Sequence, residues 1–546
     1  MDSNSVLPSL PPETPAHLPI SPFSDCEAPV PPECQGQIGI EEWVPKRRRR
    51  TKRLISKDEV SETAISEELV DGSVHHRFPS CPREDFAAGD DDAWASFVAD
   101  FEQNCAPRYP MRLALLAWSA KRSAPDKLPT SPIIESWHSQ ASAEVDKLMA
   151  LPNPRVGLGV QPVRTAAEVI ICASLFLNRY ELLSHSLDPI DARLQRITQW
   201  LAKHPDDLKL SSLASKLLLW NCYLEIRLLI FSTRKEPCTT LLEALGQRAD
   251  YHQILEASHW FYADMLGKEY RKKQLASDAE RIPAALHLHE TFCILAKVTR
   301  FQSLQQMPSR EQGGWEELVL STRSDIEASL QRLEADFELA VAVNDSAGAL
   351  RLGFVPSTWH QMSMMGLDAS LSVWNEIKPM AYDPLQAGNP LSSKTLSLAS
   401  LDWLTAYAVF LTVKILWSRT ACPDIRADHA STRATESIMQ VALLLRKAHS
   451  RRPHDRKLPS ALWLLTLFIA GIETTDEVRA DWVRMFVLDV AEAERDYDIG
   501  RRDHARKVLG LMEHVREKQD QSGTRVSIGE AMTQTEGPSG MFMFLG

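Results

Sequence analysis

The sequence predicts an all-α protein, on three observations. From about residue 85 onward the composition is rich in Leu, Ala, Trp and charged residues, a mixture typical of helical globular proteins. Apolar residues recur there at intervals of three and four, which is the period of one helix face. Prolines fall between many of these periodic segments, and neither a convincing alternating strand pattern nor an internal repeat interrupts them. The predicted architecture is a large multi-helix domain behind a disordered N-terminal tail.

The tail is predicted to cover residues 1–84. Ten of the first 45 residues are Pro, and the apolar residues among them have no period. Such a segment cannot bury enough apolar surface to offset the entropy of ordering it. Residues 56–84 are polar and acidic, which is typical of a linker. Between these parts lies a basic block, residues 46–53, with seven cations in eight positions: Lys46, Arg47, Arg48, Arg49, Arg50, Lys52 and Arg53.

The helical domain is predicted to span residues 85–520. Three acids at residues 90–92 precede Trp94, Phe97 and Phe101 at helical spacing, which predicts a capped helix start. The less favoured interpretation of residues 84–102 is an acidic and aromatic transcriptional activation segment. Further helices are predicted over residues 113–118, 133–151, 165–185, 192–202, 208–231, 241–266, 282–300, 315–343, 393–417, 431–449, 458–470, 476–494 and 501–516. Pro283 is expected near the first turn of its helix. Residues 344–394 are irregular, and residues 521–546 are predicted to be a flexible tail.

Composition narrows the class of protein. A net charge of −11 argues against a protein that coats nucleic acid with its whole surface. Nine cysteines, without paired spacing in the globular part, indicate reduced thiols in an intracellular protein, and a secretory signal is not expected. The longest apolar run, residues 461–472, is shorter than the roughly 20 residues of a spanning helix, so no membrane contact is predicted.

The most distinctive segment covers residues 456–476, with the sequence RKLPSALWLLTLFIAGIETTD. An apolar helical stripe with Trp463 beside it runs towards Gly471, which is expected to permit a close turn at the end of the helix. Glu473 and Asp476 are expected near the start of the next helix, where a carboxylate interacts favourably with the helix dipole. These residues predict a fold marker made of core positions, not a reactive site.

This segment, with Trp482 following it, resembles the C-terminal hallmark of the fungal-specific transcription factor domain, the helical region that follows a binuclear zinc cluster in many fungal regulators. The resemblance implies an all-α regulatory domain of a nuclear transcription regulator that controls a metabolic or biosynthetic gene set. An enzyme is not expected, because the sequence has neither a Gly-x-Ser-x-Gly nor a phosphate-binding Gly-Lys-Ser/Thr motif and no other recognisable catalytic constellation. The implied partners are DNA, directly or through a partner regulator, the nuclear import machinery and the transcription machinery. A homodimer is also compatible with this resemblance. No cofactor is expected in the chain as given.

The zinc cluster of that family needs six cysteines, because six thiolates hold its two metal ions. Here only Cys26 and Cys34 lie in the corresponding region, and Phe23 stands where a preceding cysteine is expected. The interval between them fits the last interval of the family pattern. They are either a remnant of the cluster, which would bind zinc only if an upstream cysteine-rich segment is missing, or two unrelated cysteines. Their small number puts direct DNA binding in doubt.

The basic block favours nuclear import over a merely solvated charged surface. DNA contact by the block alone would depend on salt and lack sequence preference. His287 and His289 lie two apart on a predicted helix, so their side chains should point in different directions and not share a metal ion. The alternative to a transcription regulator is a helical scaffold or small-molecule sensor, acting as a co-regulator without direct DNA binding.

Overall fold

A computed structural model describes residues 110–123, 132–150, 164–184, 188–204, 208, 210–231, 239–266, 272–306, 314–344, 349–352, 398–450, 460–493 and 501–535. All of them belong to one unit, Ser61–Gly546. They are predominantly helical, which confirms the predicted all-α class. The basic block, Cys26, Cys34 and the helix predicted around Trp94 lie outside the described residues.

The described residues from 110 to 340 form ten helices. They are α1 (Pro110–Ser123), α2 (Pro132–Ala150), α3 (Arg164–Leu183), α4 (Asp188–Lys203), α5 (Ser212–Ile230), α6 (Leu241–Gly246), α7 (Tyr251–His259), α8 (Phe261–Leu266), α9 (Lys272–Gln306) and α10 (Trp315–Ala340). Helix α1 packs on α2 and α3, α3 packs on α5, and α5 packs on α7 and α9.

The second half begins with an antiparallel hairpin of β1 (Val341–Asn344) and β2 (Ala349–Leu352), in which Val341 is opposite Leu352. After it, the described residues form six helices: α11 (Leu398–Ala421), α12 (His429–Ser450), α13 (Ser460–Glu473), α14 (Glu477–Ala493), α15 (Arg501–Ser522) and α16 (Ile528–Thr535). Helix α11 packs on α9, α12 and α13, while α13 packs on α14 and α15. One cluster of buried apolar side chains extends from Met111 in α1 to Met532 in α16.

Local sequence signals place the starts of two helices. Ser211 precedes α5, and its side-chain oxygen accepts the backbone N–H of Ala214. Thr240 and Glu243 form a capping box at α6, in which each side chain accepts the backbone N–H of the other residue. Both arrangements satisfy N–H groups that the first turn of a helix leaves without a helical partner.

Two predicted helices are interrupted or shorter than expected. Residues 241–266 form α6, α7 and α8 instead of one helix, because Arg248 and Asp250 leave the helical path for tertiary contacts. Nη1 of Arg248 donates to the C=O of Leu201 at 3.4 Å, and Oδ2 of Asp250 accepts the backbone N–H of Leu208 at 2.9 Å. The helix predicted over residues 315–343 ends at Ala340, and the chain continues into β1.

Two further boundaries were wrong. Pro283 lies well inside α9, not in its first turn, because buried neighbours on both sides, Ile282 and Ala284, anchor the longer helix in spite of the missing N–H. The prediction of a flexible tail from residue 521 is wrong for residues 521–535, since α15 continues to Ser522 and α16 buries apolar side chains. These are Ile528, Ala531 and Met532.

Candidate functional site

Of the predicted site residues, the structure describes the four of the resembling segment, Trp463, Gly471, Glu473 and Trp482. Trp463 is buried in α13 as expected, with 1% of its surface exposed. Trp482 is half-buried on α14 and stacks on Phe486, with ring centroids 5.2 Å apart, so it packs back as predicted.

Gly471 has a different role from the predicted one. It lies inside α13 and not in a turn after it. A Cβ atom at this position would stand 2.1 Å from Sδ of Met512 on α15 and 3.3 Å from Cγ1 of Val483 on α14. A side chain at this position would therefore have to displace the Met512 side chain, where three helices approach closely.

Glu473 also departs from the prediction. It is the last residue of α13, not a residue at the start of α14, and its side chain is fully buried. Asp476 does lie at the start of α14 as predicted, where its Oδ1 accepts the backbone N–H of Val478 at 2.9 Å. The helix-dipole argument thus holds for Asp476, whereas Glu473 serves a tertiary contact.

That contact is an ion-pair cluster, which we call the Glu473 hub: Glu473, Arg419, Arg525 and Gln519. Arg419, near the end of α11, donates from Nη1 to Oε1 of Glu473, and Arg525, just before α16, donates from Nη2 to Oε2 at 2.9 Å. Gln519 on α15 accepts an N–H from Arg419 at 3.1 Å and donates to the C=O of Ile472 at 2.7 Å. One carboxylate therefore connects three separate segments of the chain.

Arg525 has a second set of contacts at the corner between α11 and α12. Its guanidinium donates to the C=O groups of Ser418 (2.7 Å) and Cys422 (3.1 Å), and to Oγ of Ser431 (2.8 Å). Asp428 lies 3.7 Å from the same guanidinium. Because these acceptors are spread over one turn and two helix ends, Arg525 fixes the segment before α16 against this corner.

The charges of the hub are almost wholly removed from water. The side chains of Arg419 and Arg525 are 7% and 2% exposed, and that of Glu473 is 0% exposed. Burial lowers the pKa of Arg419, although the contact with Glu473 opposes this. Burial also raises the pKa of Asp428, but the hydrogen bonds from Ser418 and Ser431 and the charge of Arg525 outweigh it and lower the pKa. The two arginines are thus balanced by two carboxylates.

A second polar cluster, at α5, α7 and α9, was not predicted. His289 is 3% exposed; its Nδ1 is hydrogen-bonded to the hydroxyl of Tyr223 at 2.9 Å and its Nε2 to that of Tyr251. Sγ of Cys293 lies 3.7 Å from Nε2. Burial lowers the pKa of His289 to about 4 and raises that of Cys293 to about 12. A neutral imidazole has one donor and one acceptor nitrogen, so it joins the two tyrosines.

His287 points elsewhere, as its spacing from His289 predicts. Its Nδ1 lies 2.8 Å from the C=O of Pro283, and its ring packs against Phe337 and Trp403, with centroids 5.0 and 4.5 Å away. Within the described parts of the chain, no group of three or more His, Cys, Asp or Glu side chains could hold a metal ion.

A third cluster joins α2, α3 and α4. Arg193 donates two hydrogen bonds of 2.7 Å to the two oxygens of Glu181, and Nε2 of His138 lies 3.0 Å from Oε1. Burial raises the pKa of Glu181, but the hydrogen bonds from His138 and Arg193 outweigh it, and the net pKa is lowered. Arg193 also donates to Asn178 at 2.6 Å.

These clusters could not be recognised in the sequence because their members are far apart along the chain. Glu473 lies 54 residues from Arg419 and 52 from Arg525, and Tyr223 lies 66 residues from His289. The available signal was a charged residue inside an otherwise apolar helix, such as Arg419 in α11, since such residues are rarely buried without a partner.

No family model matches the chain, and no curated protein or solved structure matches it either. The likeness of residues 456–476 and Trp482 to a family hallmark therefore stays a prediction. In the portion of the chain that the structure describes, none of the helices has the length and apolar character needed to cross a membrane.

Proposed function

We propose that this chain is a regulator of transcription that acts in the nucleus, and that its helical body is a regulatory domain and not an enzyme. The observation that carries the proposal is the segment of residues 456–476 with Trp482, which resembles the hallmark of fungal regulatory domains. Its gene set would be a metabolic or biosynthetic one, as the resemblance implies.

The arrangement of Glu473 supports a regulatory role for this segment. A regulatory domain has to couple two distinct sites, so that a structural change at one site alters the other. This requires an element that contacts both sites. Glu473 ends α13 and contacts both Arg419 on α11 and Arg525 before α16. A shift of any of the three segments would break a buried ion pair, which is costly. The packing of the other two segments would therefore change with it.

The basic block supports nuclear entry. Seven cations in eight residues form a dense positive charge in a chain whose net charge is −11. A short Lys/Arg-rich segment of this kind is typical of import signals. The same charges can contact DNA phosphates, but such contact weakens as salt is raised and does not select a sequence.

The first experiment is genome-wide chromatin occupancy with transcript profiling in the source organism, for the native chain and a block variant in which all seven cations of residues 46–53 are replaced by Gln. We expect discrete promoter peaks, altered transcripts from those promoters when the gene is deleted, and loss of nuclear accumulation in the block variant. The matched control replaces seven exposed cations of the helical domain by Gln and should stay nuclear. They are Lys147, Lys203, Arg300, Arg323, Arg332, Arg433 and Arg506.

Binding of the purified chain to DNA from the occupied promoters then separates direct from partner-mediated contact. Sequence-selective binding that survives physiological salt indicates direct recognition. Peaks in the cell without binding in the purified system indicate a partner regulator. A native chain that stays in the cytoplasm, with an unchanged transcriptome on deletion, would contradict the proposal and favour a cytoplasmic scaffold or small-molecule sensor.

A further inference from the structure

Exposed apolar side chains are concentrated on α14. Among the described residues, six large apolar side chains are exposed, and three of them are on this helix: Val478 (77% exposed), Met485 (55%) and Leu488 (43%). Leaving such side chains in water forgoes the free energy that their burial would provide.

The three side chains form one stripe. An α-helix turns by about 100° per residue, so positions 478, 485 and 488 fall within an arc of about 80°. Asp481 lies on the same side and is also exposed, while the opposite side is buried against α13 and α15. We call Val478, Asp481, Met485 and Leu488 the α14 outer face. Its spacing of three and four residues is that of a seam which packs against another helix.

Carboxylates lie beside this face, and the carboxylate of Asp481 lies within it. Glu477 and Asp481 on α14 and Glu513 on α15 have side chains that are 68%, 69% and 57% exposed. The guanidinium groups that they contact are much less exposed, at 28% for Arg484 and 5% for Arg516. The acidic ends of these ion pairs are therefore more exposed to solvent than the basic ends, so the carboxylates dominate the charge beside the stripe.

We infer that the α14 outer face binds a cationic amphipathic helix of a partner protein. The apolar side of such a helix would cover Met485, Leu488 and Val478, and its Lys or Arg side chains would meet the carboxylates at the border. This interaction surface goes beyond the proposed role in transcription and does not depend on it.

A second copy of the chain fits this face less well. Pairing two α14 outer faces would place the acidic border of one against that of the other, and opposed like charges cost free energy. The three exposed side chains also offer much less area than the roughly 1,600 Å² of a stable interface. A partner of opposite charge and modest affinity is what the surface matches.

The test uses the full chain and a fluorescent synthetic helical peptide of about 18 residues, which is about five helical turns. Its apolar side is Leu and its remaining positions are Lys. Two control peptides have Glu in place of Lys, or the same residues without helical periodicity. Fluorescence anisotropy should give a dissociation constant on the order of micromolar for the Lys peptide, as for other small transient interfaces, and weaker binding as salt is raised.

The variant Met485→Lys with Leu488→Lys should bind the Lys peptide about tenfold more weakly or worse, as for the loss of central interface residues. Val478→Lys, at the other end of the stripe, is an independent variant with the same expected direction. The matched control is Leu318→Lys with Leu320→Lys on α10, which makes the same change at two other exposed side chains and should bind as the native chain does. Circular dichroism establishes that each variant is folded.

Equal binding of the Glu or non-periodic peptide, or native-like binding by both α14 variants, would overturn the inference. So would equal weakening in the α10 control. Sedimentation identifies the rival occupants: a native dimer that becomes a monomer in the α14 variant would mean that a second copy occupies the face. Peptide binding that appears only after residues 536–546 are deleted would mean that the chain covers the face itself.

Discussion

Replacing Glu473 by Gln should strongly destabilise the helical domain. The substitution keeps the size of the side chain but removes the negative charge that Arg419 and Arg525 both contact. For an exposed ion pair the loss would be about 0–1 kcal/mol. Here the three side chains are 0–7% exposed, so the relevant case is a buried pair that loses one partner, which costs about 3–5 kcal/mol.

The measurement is urea unfolding followed by circular dichroism, with the free energy of unfolding extrapolated to water. Glu513→Gln is the matched control, because its carboxylate also contacts an arginine, Arg484 at 3.3 Å, but is 57% exposed. We expect that control to lose less than about 1 kcal/mol.

A triple variant separates charge from packing. Arg419→Met, Glu473→Leu and Arg525→Met together remove every charge of the hub, and apolar replacement of a whole buried ionic cluster is often tolerated. The triple variant should therefore be more stable than Glu473→Gln alone. A Glu473→Gln variant as stable as Glu513→Gln, or a triple variant less stable than the single one, would refute the argument that Glu473 balances buried charge.

Three other predictions concern packing and pH. Gly471→Ala should lower the free energy of unfolding by about 1–3 kcal/mol through overpacking. Met512→Ala should make room for the new methyl group and reduce that loss. The two substitutions should therefore be non-additive in a double-mutant cycle measured by urea unfolding. The pKa of Glu181 is lowered in the folded chain, so its carboxylate stabilises the fold above the unfolded pKa of about 4.3. This stabilisation is lost as the pH falls below that value. The difference in melting temperature between the native chain and Glu181→Gln should therefore shrink from pH 6 to pH 3. Burial raises the pKa of Glu225 to about 8, so its stabilising effect falls as the pH rises from about 4.3 towards 8. The melting temperature of Glu225→Gln should consequently rise relative to that of the native chain as the pH rises. A difference in melting temperature that does not change with pH would contradict this.

Helix positions followed closely from the sequence where the apolar period is strong. The predicted segments 133–151 and 165–185 became α2 (Pro132–Ala150) and α3 (Arg164–Leu183). Here the burial of one face and the neighbouring prolines act on the same few residues, so local information is sufficient. The end of α13 was predicted less well, because the role of Glu473 depends on arginines more than fifty residues away.

The failures have a common physical cause in tertiary contacts that override local preference. Arg248 and Asp250 break the predicted helix over residues 241–266 because both contact a segment more than 40 residues earlier, Arg248 at the C=O of Leu201 and Asp250 at the N–H of Leu208. Pro283 is tolerated inside α9 because the helix is anchored on both sides of it. Neither effect is visible in a window of ten residues, since both depend on which distant segment packs there.

The buried ion pairs also address a problem created by the most apolar helices. A helix such as α11, most of whose described side chains are buried, can turn about its axis and still bury apolar surface, so burial alone specifies its rotation weakly. Hydrogen bonds between charged groups have a direction and a fixed length, and a turn of the helix breaks them. The pairs Arg193–Glu181, Arg281–Asp402 and Arg419–Glu473 each join two different helices. They therefore set the rotation of one helix against the next, even where apolar replacements would be equally stable.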